Sequence, residues 1–513
     1  MATIPRKRIR KVLIANRGEI AVRILRGLRE MGIRGAVIYS EPDRLGLPVL
    51  LADEAYPIGP APSRESYLRG EAIVELAVKI GADAIHPGYG FLSERAGFAR
   101  LCRDAGITFI GPSPEAIDAM GSKVESRRLM IAAGVPVVPG GKDLLPDLDA
   151  AAAAAEVIGY PVMLKAAAGG GGKGMRMISS AEELPSAYRA ARSEAAASFG
   201  DDAVYLEKYI HQPRHVEIQV MGDLHGKVVS LGERECSLQR RHQKVVEEAP
   251  SPMVDPELRR RMGEAAVQAA SAVGYSNAGT CEFLLSPDGN FYFLEMNTRL
   301  QVEHPVTELV TGIDLVQAQV RVAEGEPLGP EFDGVQPRGH AVEVRLYAED
   351  PWRGFTPSPG RIEMLRWPDG PGVRVDAGVY EGSEVSIYYD PMLAKLIVWA
   401  ADRERALDRL DRALSELRVE GIRTTVPLFR ALLADPDFRS GNMDIGMLDR
   451  KMAAGGLQPP APEGVDDLPL IAAALAHYAQ AQRQSAAPAT STSIRSRWGT
   501  AGRRDAVKGG SWT

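Results

Sequence analysis

The chain has 513 residues, of which 45% are hydrophobic and 25% are charged, a mixture typical of globular enzymes. At about 100–200 residues per domain, this length predicts roughly three domains. Its 61 basic and 67 acidic residues leave a formal charge of −6, which argues against a protein whose main task is to bind nucleic acid. The three cysteines form no CxxC pair. No run of apolar residues approaches the length of about 18 residues that a membrane-spanning helix needs. Composition therefore predicts a soluble, cytoplasmic enzyme without a disulfide framework.

Short apolar runs alternate with helical patterns over the first 120 residues. Alternation at this spacing indicates βαβ units and a parallel sheet, in which ligands sit at the carboxyl ends of the strands. Two polar, glycine-containing loops lie there, 16–19 and 86–94. The pattern predicts strands over 11–15, 36–39, 84–86 and 108–110 and helices over 19–31, 67–80 and 98–105.

Composition then divides the rest of the chain into three regions. Residues 135–209 form a predicted small α+β module with a helix over 147–158 and strands over 161–165 and 175–178. Residues 210–454 carry long alternating strands, such as 216–220, and helices over 256–273 and 403–417. Residues 455–513 are rich in Ala, Pro, Ser and Thr, which predicts a tail with one helix near 468–482.

A glycine loop at 169–174 separates the two strands of the small module. Glycine allows backbone N–H groups to approach a phosphate, although a loop without any ligand is the alternative. The loop is no P-loop, because Gly174 follows Lys173 where Ser or Thr is needed, and a strand comes next. Lys165 ends the preceding strand, so its ammonium could reach the same phosphates.

Two apolar runs flank Asp288-Gly289, a strong signal for a hairpin with a two-residue loop. This register places Glu282 opposite Glu295, with Cβ atoms about 4.5–5.5 Å apart, and Asn297 on the same face. Two carboxylates and an amide oxygen suit Mg²⁺. Solvated glutamates on an exposed face are the alternative, and a one-residue slip would abolish the site.

Polar residues also concentrate at 298–305 and 233–248. Arg299 could hold a small planar anion through two hydrogen bonds, and Glu303 could act as a base. His304 precedes Pro305, which predicts a helix start and a structural role. Lys244 is a candidate for binding an anion, although such charged runs are most often solvated ion-pair surfaces.

Taken together, several segments resemble biotin carboxylase, the ATP-grasp component of acetyl-CoA, propionyl-CoA and pyruvate carboxylases. The resemblance runs from about residue 9 to 450 and rests on 14–21, 86–94, 120–123, 207–209, 214–219, 239–249 and 295–307. It implies an ATP-grasp fold of the α/β and α+β class. Its parts would be an N-terminal Rossmann-like domain (1–120), a mobile lid (135–209) and a C-terminal domain (210–454), followed by the 455–513 tail.

The resemblance also implies a reaction. ATP with Mg²⁺ (or Mn²⁺) would phosphorylate bicarbonate to carboxyphosphate, which would break down to CO₂ and phosphate, and biotin would be carboxylated at its ring nitrogen. No Ala-Met-Lys-Met attachment motif is present, so biotin would be carried by a separate carrier protein. A carboxyltransferase would be the further partner, and the chain would be a homodimer. The tail around Trp498 favours an acyl-CoA carboxylase over a pyruvate carboxylase.

Site roles follow from the same resemblance. Lys123 and Lys165 would bind ATP phosphates beneath the lid loop of Gly171 and Gly172. Adenine and ribose would be surrounded by Glu207, Lys208, His215, Gln239, His242 and Leu284. Mg²⁺ would be held by Glu282, Glu295 and Asn297, and bicarbonate by Lys244, Arg299, Gln301 and Val302. Glu303 would be the catalytic base and Arg345 would stabilise the biotin enolate.

Two other functions stay open at this point. Another ATP-grasp ligase, of the carbamoyl-phosphate or purine-pathway kind, would share the ATP and metal residues but lack the 299–303 set and Arg345. A non-enzymatic nucleotide-binding module would have lost Glu295 or Glu303, and this chain retains both.

Overall fold

A computed structural model describes residues 6–140, 144–167, 175–458 and 467–485. The chain divides into two compact units, Met1–Pro459 and Pro460–Thr513. Among the helices in the described ranges, none combines the length and the apolar character that crossing a membrane requires.

The N-terminal part contains a five-stranded parallel sheet in the order β3-β2-β1-β4-β5. Its strands alternate with helices because apolar residues on both faces of the sheet need cover. Helix α1 packs on one face, and α3 and α4 pack on the other. The elements are β1 (Lys11–Ile14), α1 (Gly18–Glu30), β2 (Arg34–Ser40), α2 (Leu47–Leu51), β3 (Glu54–Gly59), α3 (Gly70–Lys79), β4 (Ala84–His86), α4 (Ala96–Asp104), β5 (Thr108–Phe109), α5 (Pro114–Gly121) and α6 (Lys123–Ala132).

Every strand and helix predicted in this part is present, with ends that differ by at most three residues. Strand β3 was not predicted, since it is a half-exposed edge strand that contains Pro57 and shows no apolar run. Helices α5 and α6 were not predicted either. Ser113 and Ser122 cap them by accepting from the N–H groups of Ala116 and Glu125, so their capping residues were the available signal.

The next part is a three-stranded antiparallel sheet in the order β7-β6-β8, packed against two helices. The predicted helix and strands are present, and helix α8 is an addition. The glycine loop with Gly171 and Gly172 lies outside the described residues. The elements are α7 (Leu148–Ile158), β6 (Val162–Ala166), β7 (Arg176–Ile178), α8 (Leu184–Phe199) and β8 (Val204–Lys208).

The largest part is built on an eight-stranded antiparallel sheet in the order β13-β12-β9-β10-β11-β14-β21-β19. Its sheet strands and first helices are β9 (Arg214–Gly222), β10 (Val228–Arg240), β11 (Gln243–Ala249), α9 (Pro256–Ala272), β12 (Asn277–Leu285), β13 (Phe291–Asn297), α10 (His304–Thr311), α11 (Leu315–Ala323) and β14 (His340–Tyr347). They are followed by β15 (Glu349–Asp350), β16 (Thr356–Pro357), β17 (Gly360–Arg361), β18 (Met364–Arg366), β19 (Val373–Ala377), β20 (Glu384–Val385), β21 (Met392–Ala400), α12 (Arg403–Glu416), β22 (Arg418–Glu420), α13 (Val426–Leu433), α14 (Pro436–Ser440), α15 (Met447–Ala453) and, in the second unit, α16 (Asp467–Ser485).

The two faces of this large sheet differ in chemistry. One face is apolar, with Val216 and Ile218 against α9 and Val344 and Leu396 against α12. The other face, here called the polar face, is equally buried but carries ionisable side chains, because residues alternate between faces along each strand. It includes Glu217, Glu343, Arg345 and Lys395 and is covered by α10 and α1. The position of these charges determines where the site forms.

Candidate active site

A cleft of about 560 Å³ opens between the small sheet and the large sheet. Strands β6 and β8 provide one wall, and β9 to β14 provide the other. All of the sequence-predicted site residues within the described ranges line this cleft. They are Lys123, Lys165, Glu207, Lys208, His215, Gln239, His242, Lys244, Glu282, Leu284, Glu295, Asn297, Arg299, Gln301, Val302, Glu303 and Arg345.

Lys244 on β11 is the centre of an ion-pair cluster. Its ammonium donates to Glu217 Oε2 at 2.5 Å, to Glu303 Oε1 at 2.7 Å and to Glu282 Oε1 at 2.9 Å. It also donates to Gln301 Oε1 at 3.2 Å. Burial would lower the pKa of Lys244, but the three carboxylates raise it well above its usual value, so the ammonium stays charged.

Glu303 lies between two cations on the polar face. Besides Lys244, Arg345 Nη2 donates to Glu303 Oε2 at 3.0 Å, and the side chain of Glu303 is 1% exposed. Burial would raise the pKa of Glu303, but Lys244, Arg345 and Arg234 together lower it far below its usual value. The carboxylate is therefore ionised, the form in which it can accept a proton.

The predicted pairing of Glu282 with Glu295 is confirmed by the register of β12 and β13. The predicted two-residue loop is wrong, because Ser286 N–H donates to Asn290 O at 2.8 Å around a three-residue loop. This loop displaces the register by one residue as far as Phe283, which pairs with Phe293. A bulge between Glu282 and Phe283 then restores the predicted pairing. Asn297 is close, as predicted, since its Nδ2 donates to Glu282 Oε1 at 2.8 Å.

These three residues fit a magnesium ion by their donor chemistry. Glu295 is exposed to the cleft, yet the surrounding protein and the charge of Glu282 raise the pKa of Glu295, and Lys123 opposes this shift. Burial would likewise raise the pKa of Glu282, but Lys244 and His215 lower it well below its usual value. His215 Nε2 lies 3.0 Å from Glu282 Oε2. Glu282 and Glu295 thus concentrate negative charge that a divalent cation would offset.

On the opposite wall, Lys165 and Arg127 converge on Glu207. Lys165 Nζ lies 2.5 Å and Arg127 Nη1 2.9 Å from its two carboxylate oxygens. Nearby, burial lowers the pKa of Lys123, an effect that Glu295 opposes and Lys165 strengthens. Lys123 and Lys165 therefore bring two cations into the cleft, as phosphate binding requires.

The remaining predicted residues occupy the cleft in different ways. Gln239 Nε2 lies 3.0 Å from His215 Nδ1, so these two side chains form one polar unit. The Lys208 ammonium donates to the carbonyls of Gly159 and Tyr160 rather than into the cleft. His242 lies in the β10–β11 turn with a positive φ of 66°.

The guanidinium of Arg299 is held in the cleft by hydrogen bonds to two other side chains. Its Nε donates to Glu94 Oε2 at 2.9 Å and its Nη2 to Asn297 Oδ1 at 2.9 Å. Glu94 comes from the predicted loop 86–94, so the N-terminal sheet reaches the site through this contact. The nearby His304 begins α10, as predicted, and its fully buried Nδ1 lies 2.7 Å from Gln301 O, which agrees with a structural role.

Sequence reasoning missed four charged residues of the site. Glu217, Arg234 and Glu247 are buried on the polar face, where Arg234 contacts Glu217 and Arg345 donates to Glu247 at 2.6 Å. Arg127 on α6 is the fourth. For Glu217, the polar positions that alternate within the apolar strand 216–220 were the available signal. No comparable signal marks Arg127.

Comparison with known proteins shows to which family the chain is similar. Three family profiles match the chain in succession: biotin carboxylase N-terminal domain over 8–117, carbamoyl-phosphate synthase L chain ATP binding domain over 122–331, and biotin carboxylase C-terminal domain over 343–450.

Similar proteins include a biotin carboxylase of Nostoc sp., which is 52% identical over 433 residues (84% of this chain and 97% of that one). Biotin carboxylase 2 of Bacillus subtilis is 52% identical over 442 residues (86% and 99%). The mitochondrial methylcrotonoyl-CoA carboxylase alpha chain of Rattus norvegicus is 52% identical over 442 residues, and the chain covers 62% of its length.

Solved structures of biotin carboxylases are also similar to this chain. A biotin carboxylase–β-γ-ATP complex from Campylobacter jejuni has a TM-score of 0.84 and 48% identity, covering 86% of this chain and 99% of that one. The biotin carboxylase domain dimer of Hydrogenobacter thermophilus 2-oxoglutarate carboxylase, in complex with MgADP, ADP and bicarbonate, has a TM-score of 0.83 and 49% identity, covering 87% and 98%.

The fold and the cleft define an ATP-dependent ligase of the ATP-grasp class. This assignment rests on the match to the ATP-binding profile and on the similarity to biotin carboxylases. The chain belongs to the biotin carboxylase family. The predicted fold class, enzyme class and family are confirmed.

Proposed function

We propose that the cleft is where this biotin carboxylase activates bicarbonate with ATP and carboxylates biotin, with the residue roles predicted from the sequence. The observation that carries the proposal is the convergence of Lys244 and Arg345 on the Glu303 carboxylate. A base flanked by two cations is suited to receive an anionic substrate, because the cations attract the anion and the base removes its proton.

Glu303 acts as the base in this proposal. In the free site its low pKa makes it a weak base. A bicarbonate ion that binds Lys244, Arg299, Gln301 and Val302 would take up part of the Lys244 charge, and the pKa of Glu303 would rise. Substrate binding would thus strengthen the base at the moment when it is needed. Arg345, which already donates to Glu303, would stabilise negative charge on the oxygen of the biotin enolate.

The other residues of the cleft serve the nucleotide. Lys123 and Lys165 would bind its phosphates, and adenine and ribose would lie among Glu207, Lys208, His215, Gln239, His242 and Leu284. Glu282, Glu295 and Asn297 would hold Mg²⁺, which, when bound, offsets the charge that develops on transferred phosphate oxygens. Closure of the lid, with Gly171 and Gly172 in its loop, would exclude water from carboxyphosphate.

The proposal extends to domains and partners. The domain boundaries are 1–120, 135–209 and 210–454, with 455–513 as a tail. The substrate is biotin on a separate carrier protein, and a carboxyltransferase receives the carboxyl group, most simply for an acyl-CoA. The enzyme is a homodimer, a state in which the Hydrogenobacter thermophilus relative is found. The three buried free thiols favour a reducing compartment such as the cytoplasm.

The test is steady-state ATP hydrolysis with Mg²⁺, with and without bicarbonate and free biotin. Wild type should require bicarbonate and be accelerated by biotin. The Glu303→Gln substitution keeps the shape of the side chain but removes the base, so the rate should fall by about 10²–10⁴-fold while ATP binding is retained.

The matched control is Glu257→Gln, which changes an exposed glutamate on α9 away from the cleft and should leave turnover unchanged. Full activity in Glu303→Gln would contradict the proposed base. Turnover that ignores bicarbonate in wild type would indicate a different ATP-grasp ligase.

A further inference from the structure

Lys395 is a buried cation on the polar face that the roles above leave unused. It lies on β21 with its side chain fully buried, opposite Arg345 of β14 on one side and Asp376 of β19 on the other. Its ammonium donates to the main-chain carbonyl of Val302 at 2.8 Å and lies 3.1 Å from Glu19 Oε1. Asp376 Oδ2 is more distant, at 3.8 Å.

The charges around Lys395 show which contacts matter. Asp376 is already held by Arg374, whose Nε and Nη2 donate to its two oxygens at 3.0 and 2.8 Å. Glu19, which also accepts from the Tyr89 hydroxyl, is therefore the nearest counter-ion of Lys395. A buried ion pair of this kind adds little net stability compared with apolar side chains of similar volume. The main effect of Lys395 on the structure is therefore its hydrogen bond to the Val302 carbonyl.

Val302 belongs to a loop that the polar face holds at three successive residues. Lys244 donates to the Gln301 side chain, Lys395 to the Val302 carbonyl, and Lys244 and Arg345 to the Glu303 carboxylate. The Gln301 carbonyl is fixed separately by the His304 ring. Because a peptide unit is planar and trans, fixing the Gln301 and Val302 carbonyls also fixes the directions of the Val302 and Glu303 N–H groups.

We propose that Lys395 is a positioning residue for bicarbonate: it holds the Val302 carbonyl and thereby orients the backbone of residues 301–303 against the anion. The inference rests on the proposed function of this loop. It assigns to Lys395 no contact with the substrate. Its effect is on bicarbonate rather than on the nucleotide, because none of the residues proposed to bind the nucleotide belongs to residues 301–303.

The test is Lys395→Met in the full chain, with ATP hydrolysis measured against bicarbonate and, separately, against MgATP in the presence of free biotin. Methionine is unbranched and nearly as long as lysine, and it lacks the donor. The KM for bicarbonate should rise at least about tenfold, since small misplacements of binding groups have large effects. The KM for ATP should stay within about twofold, a split that a general loss of structure would not produce.

Two further variants make the result decisive. Lys395→Met leaves Glu19 buried without its counter-ion, so the double variant with Glu19→Gln removes that charge in case the single variant folds poorly. The matched control is Lys11→Met, because Lys11 also donates to a main-chain carbonyl (Ile80 O, 2.9 Å) and pairs with a glutamate (Glu54, 2.9 Å), but it lies outside the cleft. It should keep the wild-type KM for bicarbonate.

A folded double variant with the wild-type KM for bicarbonate would overturn the proposal. Equal rises in the KM for ATP and for bicarbonate would also overturn it, because they would show a structural role. If wild type itself needs no bicarbonate, the proposed function fails first, and the role of Lys395 fails with it.

Discussion

The charge of the Lys244 side chain influences the protonation of several carboxylates in the site. Its ammonium contacts Glu217, Glu282 and Glu303, which belong to three separate segments of the chain. Without it, three buried carboxylates would repel one another in a region of low dielectric constant. The ammonium therefore keeps both the proposed base and a proposed metal ligand ionised before substrate arrives.

The first prediction concerns the pH dependence of stability in Lys244→Met. The pKa values of Glu282 and Glu303 are depressed in the folded protein, so their stabilising effect is present above the unfolded pKa of about 4.3 and is lost as pH falls. Removing Lys244 should lower the free energy of unfolding at pH 7 by about 3–5 kcal/mol. The difference from wild type should shrink toward pH 4, where protonation removes the repulsion among the variant's carboxylates.

Urea denaturation at several pH values measures this difference. The control is Lys227→Met, which breaks a partly exposed pair with Asp333 (2.7 Å) and should cost less than about 1 kcal/mol. A deficit in Lys244→Met that is the same at pH 7 and at pH 4 would show that electrostatics is not the cause.

At the scale of elements, the β12–β13 hairpin shows that register decides chemistry. Its three-residue loop alone would have moved Glu295 out of line with Glu282. The bulge beside Glu282 compensates for the extra loop residue and returns both carboxylates to one position along the strands. Bulges are often found next to active sites for this reason, because they redirect a side chain without disturbing the rest of the ladder.

Close packing between α1 and the end of β19 gives the second prediction. A Cβ atom at Gly378 would lie 2.6 Å from Glu19 N and 2.8 Å from Gly18 C, both backbone atoms that cannot rotate away. Gly378→Ala should therefore displace the start of α1 and lower the free energy of unfolding by about 1–3 kcal/mol. Thermal and urea denaturation would measure the loss.

Gly97 provides the matched control on α4. A Cβ there meets no atom within 4 Å, and its φ is not in the left-handed region. Gly97→Ala should raise the free energy of unfolding by about 0.5–1 kcal/mol, because alanine is the better helix former. Equal effects of the two substitutions would show that the contact at Gly378 is not tight.

At the scale of the whole molecule, the unit Met1–Pro459 contains all that the site requires among the described residues. The buried apolar clusters begin at Ile9 and end at Leu457, and the cleft is lined by residues between Lys123 and Arg450. Helix α16 exposes Leu470, Ile471 and Leu475, and no apolar core residue of the described chain comes from it.

The third prediction follows from that division. A chain truncated after residue 458 should fold and should retain bicarbonate-dependent ATP hydrolysis with free biotin, because, among the described residues, it keeps every buried apolar cluster and every residue that lines the cleft. Circular dichroism and the turnover assay would test this expectation against the full chain. A folded truncated chain with lost turnover would assign residues 459–513 a part in the reaction.

Sequence alone determined much of this protein. The βαβ alternation, the hairpin that carries Glu282 and Glu295 and the concentration of polar residues at 298–305 all depend on local patterns, and local patterns are visible in a single chain. The resemblance then connected these segments into one family. Every predicted site residue in the described ranges lines one cleft because the topology brings together the strands and loops that carry the motifs.

Only the tertiary structure decided which charges face one another. Lys395 and Val302 are 93 residues apart, and Lys244 and Glu303 are 59 apart, so no local pattern could pair them. The polar face that carries Glu217, Arg345 and Lys395 exists because neighbouring strands align alternate residues on one side of the sheet. The bulge at Glu282 offsets the one extra residue of the three-residue hairpin loop. Long-range register and burial, rather than residue type, thus determine the pKa values and contacts of the site.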